Sequence, residues 1–480
     1  MNNSMLIQPD YGGFNSRFLG IQLRFHALHP EVFGDFITFI SSKPDHVVAQ
    51  GNAALQSSFE RAFHVFSLGS VLEHEMRHFH DFLLSPLSQS IYRLRVAAIF
   101  HGIQGVPDIK QHGFVPVPLV RWLRLPAEEK SSRLRQWAGF LKNMPDTFII
   151  SDDERSMLSL GDDCYHAMHS RLVSQRIPKI QPVHLFEASA LLVQHQAIVQ
   201  NFGAPHAAKF IAALYQQPGA DDYKLVFNML VNLWNKWSMP CDFRAMSAVL
   251  IWSIAGASTA AEGDDYPTIR FLRLFEYLNH SGIPVAGTAV VDWFSQWDAA
   301  LGSVPIENKL QDAVDANENL LEQLNNIQPT ADKLFTVVAK GCLQAMQCLA
   351  TLSRQMLKDF KRMSEIYVDP AQYINQVQFV SCPIRVDFLN GGVEASRFTG
   401  SNFMIWRTEN CDKGNSLVTS AYLQPPGNNW PVTTDAVMNA ALALDFGDFL
   451  FCDFSRDGAD FDAIRRSFRQ HIGIVPLEVF

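Results

Sequence analysis

His74, Glu75 and His78 lie within the stretch His74-Glu75-Met76-Arg77-His78, and their spacing carries a definite chemistry. On a helix, positions i and i+4 lie one turn apart on the same face, so both imidazoles can reach a common point. Neutral imidazole nitrogens are good ligands for a divalent metal. Glu75, one residue after the first histidine, is rotated about 100° from it and would face a metal-bound water, not the metal. A bound metal lowers the pKa of its water from about 16 to about 7, and a neighbouring carboxylate can take the proton.

The flanking residues predict the helix that positions these groups. Val65, Leu68, Leu72, Met76, Phe79 and Leu83 recur at steps of three and four, an apolar stripe that would anchor a helix in a core. His74 and His78 fall on the opposite side with Ser67, Ser70, Asp81 and Ser85, a small and polar face that suits a cleft lining. The competing reading is a surface helix that carries two histidines by chance. Such a face would more often hold Lys and Glu.

The motif resembles the H-E-x-x-H of the zincin superfamily of zinc metallopeptidases, and the specific part of the resemblance covers this one helix. It implies Zn2+ as cofactor, His74 and His78 as the first two ligands, Glu75 as general base, and a protein or peptide as substrate. Metzincins extend the motif with a glycine and a third histidine. Here Asp81 and Leu84 occupy those positions, so the third ligand must come from elsewhere. In the gluzincin branch it is a glutamate on a later helix.

Glu187 is the candidate for that ligand. Residues 183–194 are apolar on nearly every side, and Glu187 is the only formally charged residue between Lys179 and Lys209. A lone carboxylate in an apolar helix is costly unless it is paired or binds a metal. Thermolysin-like gluzincins carry an aspartate four residues after this ligand to orient the first histidine. Leu191 stands there in this chain, and Asp81, one turn after His78, could orient a histidine instead. Glu262, after the apolar run 248–261, is the second choice for third ligand. Zincins often place an oxyanion donor after the glutamate helix, where His206, Tyr215 and Tyr223 follow with nothing to select among them. Asp162, Asp163, His166 and His169 lack a recognised zinc spacing and read as a polar turn. His80 points away from the motif face.

Composition bounds the remaining function classes. A chain of 480 residues, 48% hydrophobic and 18% charged, can bury a sizeable core. A formal net charge of −9 without a basic run argues against a nucleic-acid surface. The 7 cysteines are scattered with no CxxC pair, which suggests reduced thiols and a cytoplasmic setting. Residues 1–10 show no basic region followed by an apolar block, so no secretory signal is expected. The most apolar stretch, 245–261, falls short of the roughly 18–20 residues of a bilayer span. It reads as a buried core helix, and no membrane partner is expected.

Alternation of Ile21, Leu23, Phe25 and Ala27 predicts an early strand. Helical patterns dominate from about 57 to 357, apart from a proline-containing loop at 102–126. Residues 309–324 form an acidic amphipathic pattern, and a second helix runs from after Pro329 to about 366. Composition shifts near Asp369-Pro370. Strands are expected at 376–388, 401–407 and 445–454, with a last helix at 460–471. The expected fold class is α+β, mainly helical, with a zincin-like catalytic core and a C-terminal α/β region. Residues 1–300 would form the metallopeptidase region, 301–369 a long helical segment, and 370–480 the C-terminal region, for substrate or partner recognition. The implied activity is hydrolysis of peptide bonds by metal-activated water. The main rival is a catalytically inactive zincin-like scaffold or binding protein that holds no metal. A third reading keeps the zinc and hydrolyses a non-peptide amide. A cytosolic peptidase needs restraint, which leaves room for a regulatory protein partner.

Overall fold

The computed structural model describes residues 12–15, 19–26, 59–103, 114–117, 126–140, 180–215, 221–258, 263–285, 287–326, 333–375, 384–389, 403–411, 416–423 and 475–478, with single positions between 436 and 447. Helices dominate these residues. In chain order they carry β1 (Gly12–Asn15), β2 (Gly20–His26), α1 (Phe59–Leu84), α2 (Pro86–Ile103), β3 (Phe114–Val117) and α3 (Ala127–Phe140). A helical run follows: α4 (Pro182–Phe202), α5 (Ala204–Leu214), α6 (Asp221–Lys236), α7 (Phe243–Ile254), α8 (Pro267–Ser281) and α9 (Val290–Leu301). Then come α10 (Ile306–Asn325), α11 (Lys333–Val368), α12 (Pro370–Asn375), β4 (Ile384–Leu389), β5 (Phe403–Cys411), β6 (Ser416–Leu423) and β7 (Val475–Glu478).

Local chemistry sets the helix ends around the site. Pro86 cannot continue α1, but it suits the first turn of α2, where its missing N–H costs nothing. The Ser85 hydroxyl accepts from the Ser88 N–H at 3.2 Å and caps that turn. Pro182 starts α4 in the same way, His184 Nδ1 accepts from the Gln181 N–H at 3.0 Å, and Gly203 at φ 90° ends the helix. Asp242 caps α7 by accepting from the N–H groups of Arg244 and Ala245 at 3.0 and 3.2 Å.

Helix α4 is the centre of the packing. Leu185, Ala188, Leu191, Leu192, Val193 and Ala197 are fully buried, and α1, α5, α6, α7 and α12 pack around it. Every residue from Ala245 to Ile254 of α7 is buried, as the apolar run predicts. Helices α10 and α11 fulfil the two C-terminal helical patterns and pack on each other and on α2.

The strands form a five-stranded sheet in the order β1-β2-β4-β6-β5 and a two-stranded parallel pair, β3-β7. Strand β2 pairs in parallel with β4, Ile21 opposite Ile384, so N-terminal and C-terminal segments share one sheet. Strand β1 lies at its edge, pairs antiparallel with β2, and packs against α1. Two expectations change. The proline-containing loop includes β3, because Pro116 can sit in a strand that, among the described residues, pairs on one side only. The strand expected at 445–454 meets one described residue, Gly447, and it is helical. The helix expected at 460–471 lies outside the described residues. No helix among the described residues is long and apolar enough to cross a membrane.

Candidate metal centre

Helix α1 presents His74 and His78 one turn apart, as their spacing requires, with Nε2 atoms 3.0 Å apart. Helix α4 lies against α1 and brings Glu187 to them. Glu187 Oε2 lies 3.3 Å from His74 Nε2 and 3.4 Å from His78 Nε2. These three are the one group of metal-ligating type found among the described residues. Residues 113 and 109 positions apart in sequence are thus joined at one point by the packing of two helices. Glu262, the second choice for this role, lies outside the described residues, as do Asp162, Asp163, His166 and His169.

The separations test whether a metal fits. A tetrahedral zinc with bonds of about 2.0–2.1 Å places neighbouring ligand atoms about 3.3–3.4 Å apart. The observed 3.0, 3.3 and 3.4 Å fall close to that set. Three atoms that coordinate through lone pairs therefore converge at zinc spacing in a nearly dry place.

The electrostatics follow from this convergence. Burial opposes a charged His78 ring, but the Glu187 carboxylate outweighs it and lifts the pKa to about 9. Burial would raise Glu187, yet His78 and His74 pull it well below the usual carboxylate range. Its negative charge therefore persists across the physiological pH range.

Glu75 is buried beside the histidines and accepts a hydrogen bond from the Phe14 backbone N–H. Burial pushes its carboxyl above the ordinary value, against the pull of His74 and His78. The phenyl ring of Phe14 packs on Phe79 and Phe82 of α1, with centroids 6.2 and 5.4 Å away. The edge strand is thereby held against the motif. A main-chain donor leaves no mark in sequence, and only the approach of β1 to α1 reveals it. Of the three oxyanion-donor candidates, Tyr223 has its ring beside His74, 5.9 Å between centroids. The Tyr215 hydroxyl instead donates to Asn228 Oδ1 at 3.3 Å. For His206, the structure shows a half-buried position on α5.

Two readings of α1 change. Every residue from His74 to Ser85 is buried, so the helix has no polar face open to water there. Asp81 pairs with Arg77, Oδ1 to Nε at 3.0 Å, instead of orienting a histidine. Burial explains both, because a carboxylate at zero exposure needs a cation and Arg77 lies one turn away. That i,i+4 pair of opposite charges between Met76 and Phe82 was the available sequence signal. His74 Nδ1 is buried without a hydrogen-bond partner among the described residues. His80 is a core histidine whose Nδ1 lies 2.6 Å from the Tyr373 hydroxyl.

Comparison with protein families, curated proteins and solved structures finds no match to this chain. The functional reading therefore rests on the geometry of the site.

Proposed function

We propose that this chain is a zinc-dependent metallopeptidase of gluzincin-like type, with α1 and α4 at the heart of a zincin-like core. The observation that carries the reading is the convergence of His74 Nε2, His78 Nε2 and Glu187 Oε2 at zinc-like separations. His74, His78 and Glu187 would hold the ion, leaving a fourth position for water or substrate. When bound, zinc supplies Lewis-acid polarisation of a carbonyl and acidifies its water.

The chain's own residues account for the other parts of a hydrolysis. Glu75 takes the proton of the attacking water and returns it to the leaving amine. The raised pKa of the Glu75 carboxyl suits both roles, since it brings the group towards working pH. The Phe14 N–H holds that carboxylate in place. Tyr223, whose ring lies beside His74, would donate to the developing oxyanion. Among the described residues β1 is the edge strand of the sheet, next to Glu75, and an extended peptide backbone is the substrate such an edge accepts. The region 370–480 would serve substrate or partner recognition.

The experiment is elemental analysis of the purified full-length chain, followed by Glu75→Gln. The expected results are about one zinc per chain, retained in the variant, and a loss of about 100-fold to 10,000-fold in cleavage of a peptide library. A wild type that stays metal-free with zinc supplied would hand the case to the scaffold reading. Full activity in Glu75→Gln would sink the peptidase mechanism.

A further inference from the structure

Arg77 lies between the two histidines of the motif, yet its side chain makes no contact with the metal-ligating atoms. It is fully buried and spans several helices. Its Nε donates to Ser189 Oγ at 2.9 Å, and the same nitrogen lies 3.0 Å from Asp81 Oδ1. Nη1 donates to the Tyr367 carbonyl at 2.7 Å, Nη2 to Ser247 Oγ at 3.3 Å, and the guanidinium sits 5.0 Å from the Tyr373 ring centre. The Ser189 hydroxyl also lies close enough to the Asp81 carboxyl to favour its charged form.

The placement of Ser189 gives this arrangement its meaning. Ser189 stands two residues after Glu187 on α4, whereas Arg77 and Asp81 flank His78 on α1. The polar link between the two helices therefore crosses within one turn of the proposed ligands on each side. We propose that Arg77, Asp81 and Ser189 form a positioning brace that sets the separation of the histidine pair from Glu187. This inference rests on the metal-site reading above.

Three physical points support a positioning role. Ligand geometry tolerates only about 0.5 Å of error, and apolar contacts alone permit sliding of that size. A guanidinium is planar and offers five donors in fixed directions, so it fixes helix positions where a lysine would not. A hydrophobic set of similar volume could have filled this core at no loss of stability, so stability by itself does not call for a buried ion pair here.

The test uses full-length protein stripped of metal and titrated with Zn2+ against a chromophoric chelator. Arg77 variants leave Asp81 unpaired in the core and endanger folding, so Ser189→Ala is the primary probe. It removes one hydroxyl, keeps the ion pair, and places a good helix former at a helix position. Ser189→Ala should keep the wild-type circular dichroism and weaken zinc about 10-fold to 100-fold, the usual effect of a supporting residue. The decisive arm repeats Ser189→Ala in a Glu187→Gln background. If Ser189 acts by placing Glu187, the further loss there should be less than about 3-fold, because coupled residues are non-additive. An equal loss in both backgrounds, or no loss in either, overturns the brace while leaving the metal site intact. A wild type that binds no zinc overturns both the brace and the metal-site reading.

Discussion

Replacing Glu187 by glutamine tests the site most sharply, because the structure sets two opposing effects on metal affinity. Structural zinc sites bind with about 10–16 kcal/mol over four ligands, so one ligand is worth roughly 2.5–4 kcal/mol, on the order of 100-fold to 1,000-fold. Glutamine keeps the shape and removes the charge that makes this ligand strong. The opposing effect comes from His78. Its pKa of about 9 in the metal-free protein means that zinc must displace a proton at pH 7. That displacement costs about 3 kcal/mol, two pH units at about 1.4 kcal/mol each. Glu187 is the group that sustains this pKa against burial. In Glu187→Gln the His78 ring falls back toward its ordinary range, is largely neutral at pH 7, and the proton penalty largely disappears. The variant should therefore lose about 10-fold or less at pH 7 and the full 100-fold to 1,000-fold at pH 9. Wild-type affinity should climb about tenfold per unit between pH 7 and pH 9, while the variant stays flat. Competition with a chromophoric chelator at several pH values measures both lines. Parallel lines would refute the charge coupling between Glu187 and His78, and equal affinities at pH 9 would remove Glu187 from the ligand set.

Further outcomes follow from other parts of the site. Tyr223→Phe should retain zinc and lower kcat about 100-fold to 1,000-fold with little change in KM, as loss of an oxyanion donor does. Unchanged steady-state kinetics would assign Tyr223 to packing. Glu73 is raised to about 8 by burial, and its Oε2 has no hydrogen-bond partner among the described residues. The folded state thus holds this proton to higher pH than the unfolded chain. The associated stability is complete below about pH 4.5 and is lost as pH rises through about 8. Glu73→Gln should gain stability over wild type between pH 5 and pH 8.5, by an amount that grows with pH and is then constant. Urea unfolding at both ends of that range decides it, and a pH-independent difference would count against the buried carboxyl. Metal removal should destabilise the fold: saturating zinc at about 1,000 times Kd adds about 4 kcal/mol, which calorimetry with and without chelator would register. An unchanged Tm after chelation would mean that the ion is not bound to the native state.

Several parts of this protein were legible without coordinates because their causes are local. The two histidines share a face because helical periodicity places i and i+4 together, whatever surrounds the helix. The burial of residues 245–254 in α7 follows from a run with no charged residue. Glu187 could be singled out because an isolated carboxylate among Leu185, Phe186, Leu191 and Leu192 demands a partner. What the partner would be, and at what distance, depended on packing. Only the docking of α4 on α1 brings Glu187 Oε2 within 3.3 and 3.4 Å of the two imidazoles. The same docking buries the face of α1 that periodicity alone leaves open to water, and so turns Asp81 from a histidine partner into the counter-ion of Arg77. The donor to Glu75 is a peptide N–H on an edge strand, and every residue except proline has one, so composition carries no trace of it. Residue types and spacing by themselves determined which groups could hold a metal and move a proton. The tertiary structure decided which of them meet, because distances between segments far apart in sequence are set by the packing of whole helices, not by any local pattern.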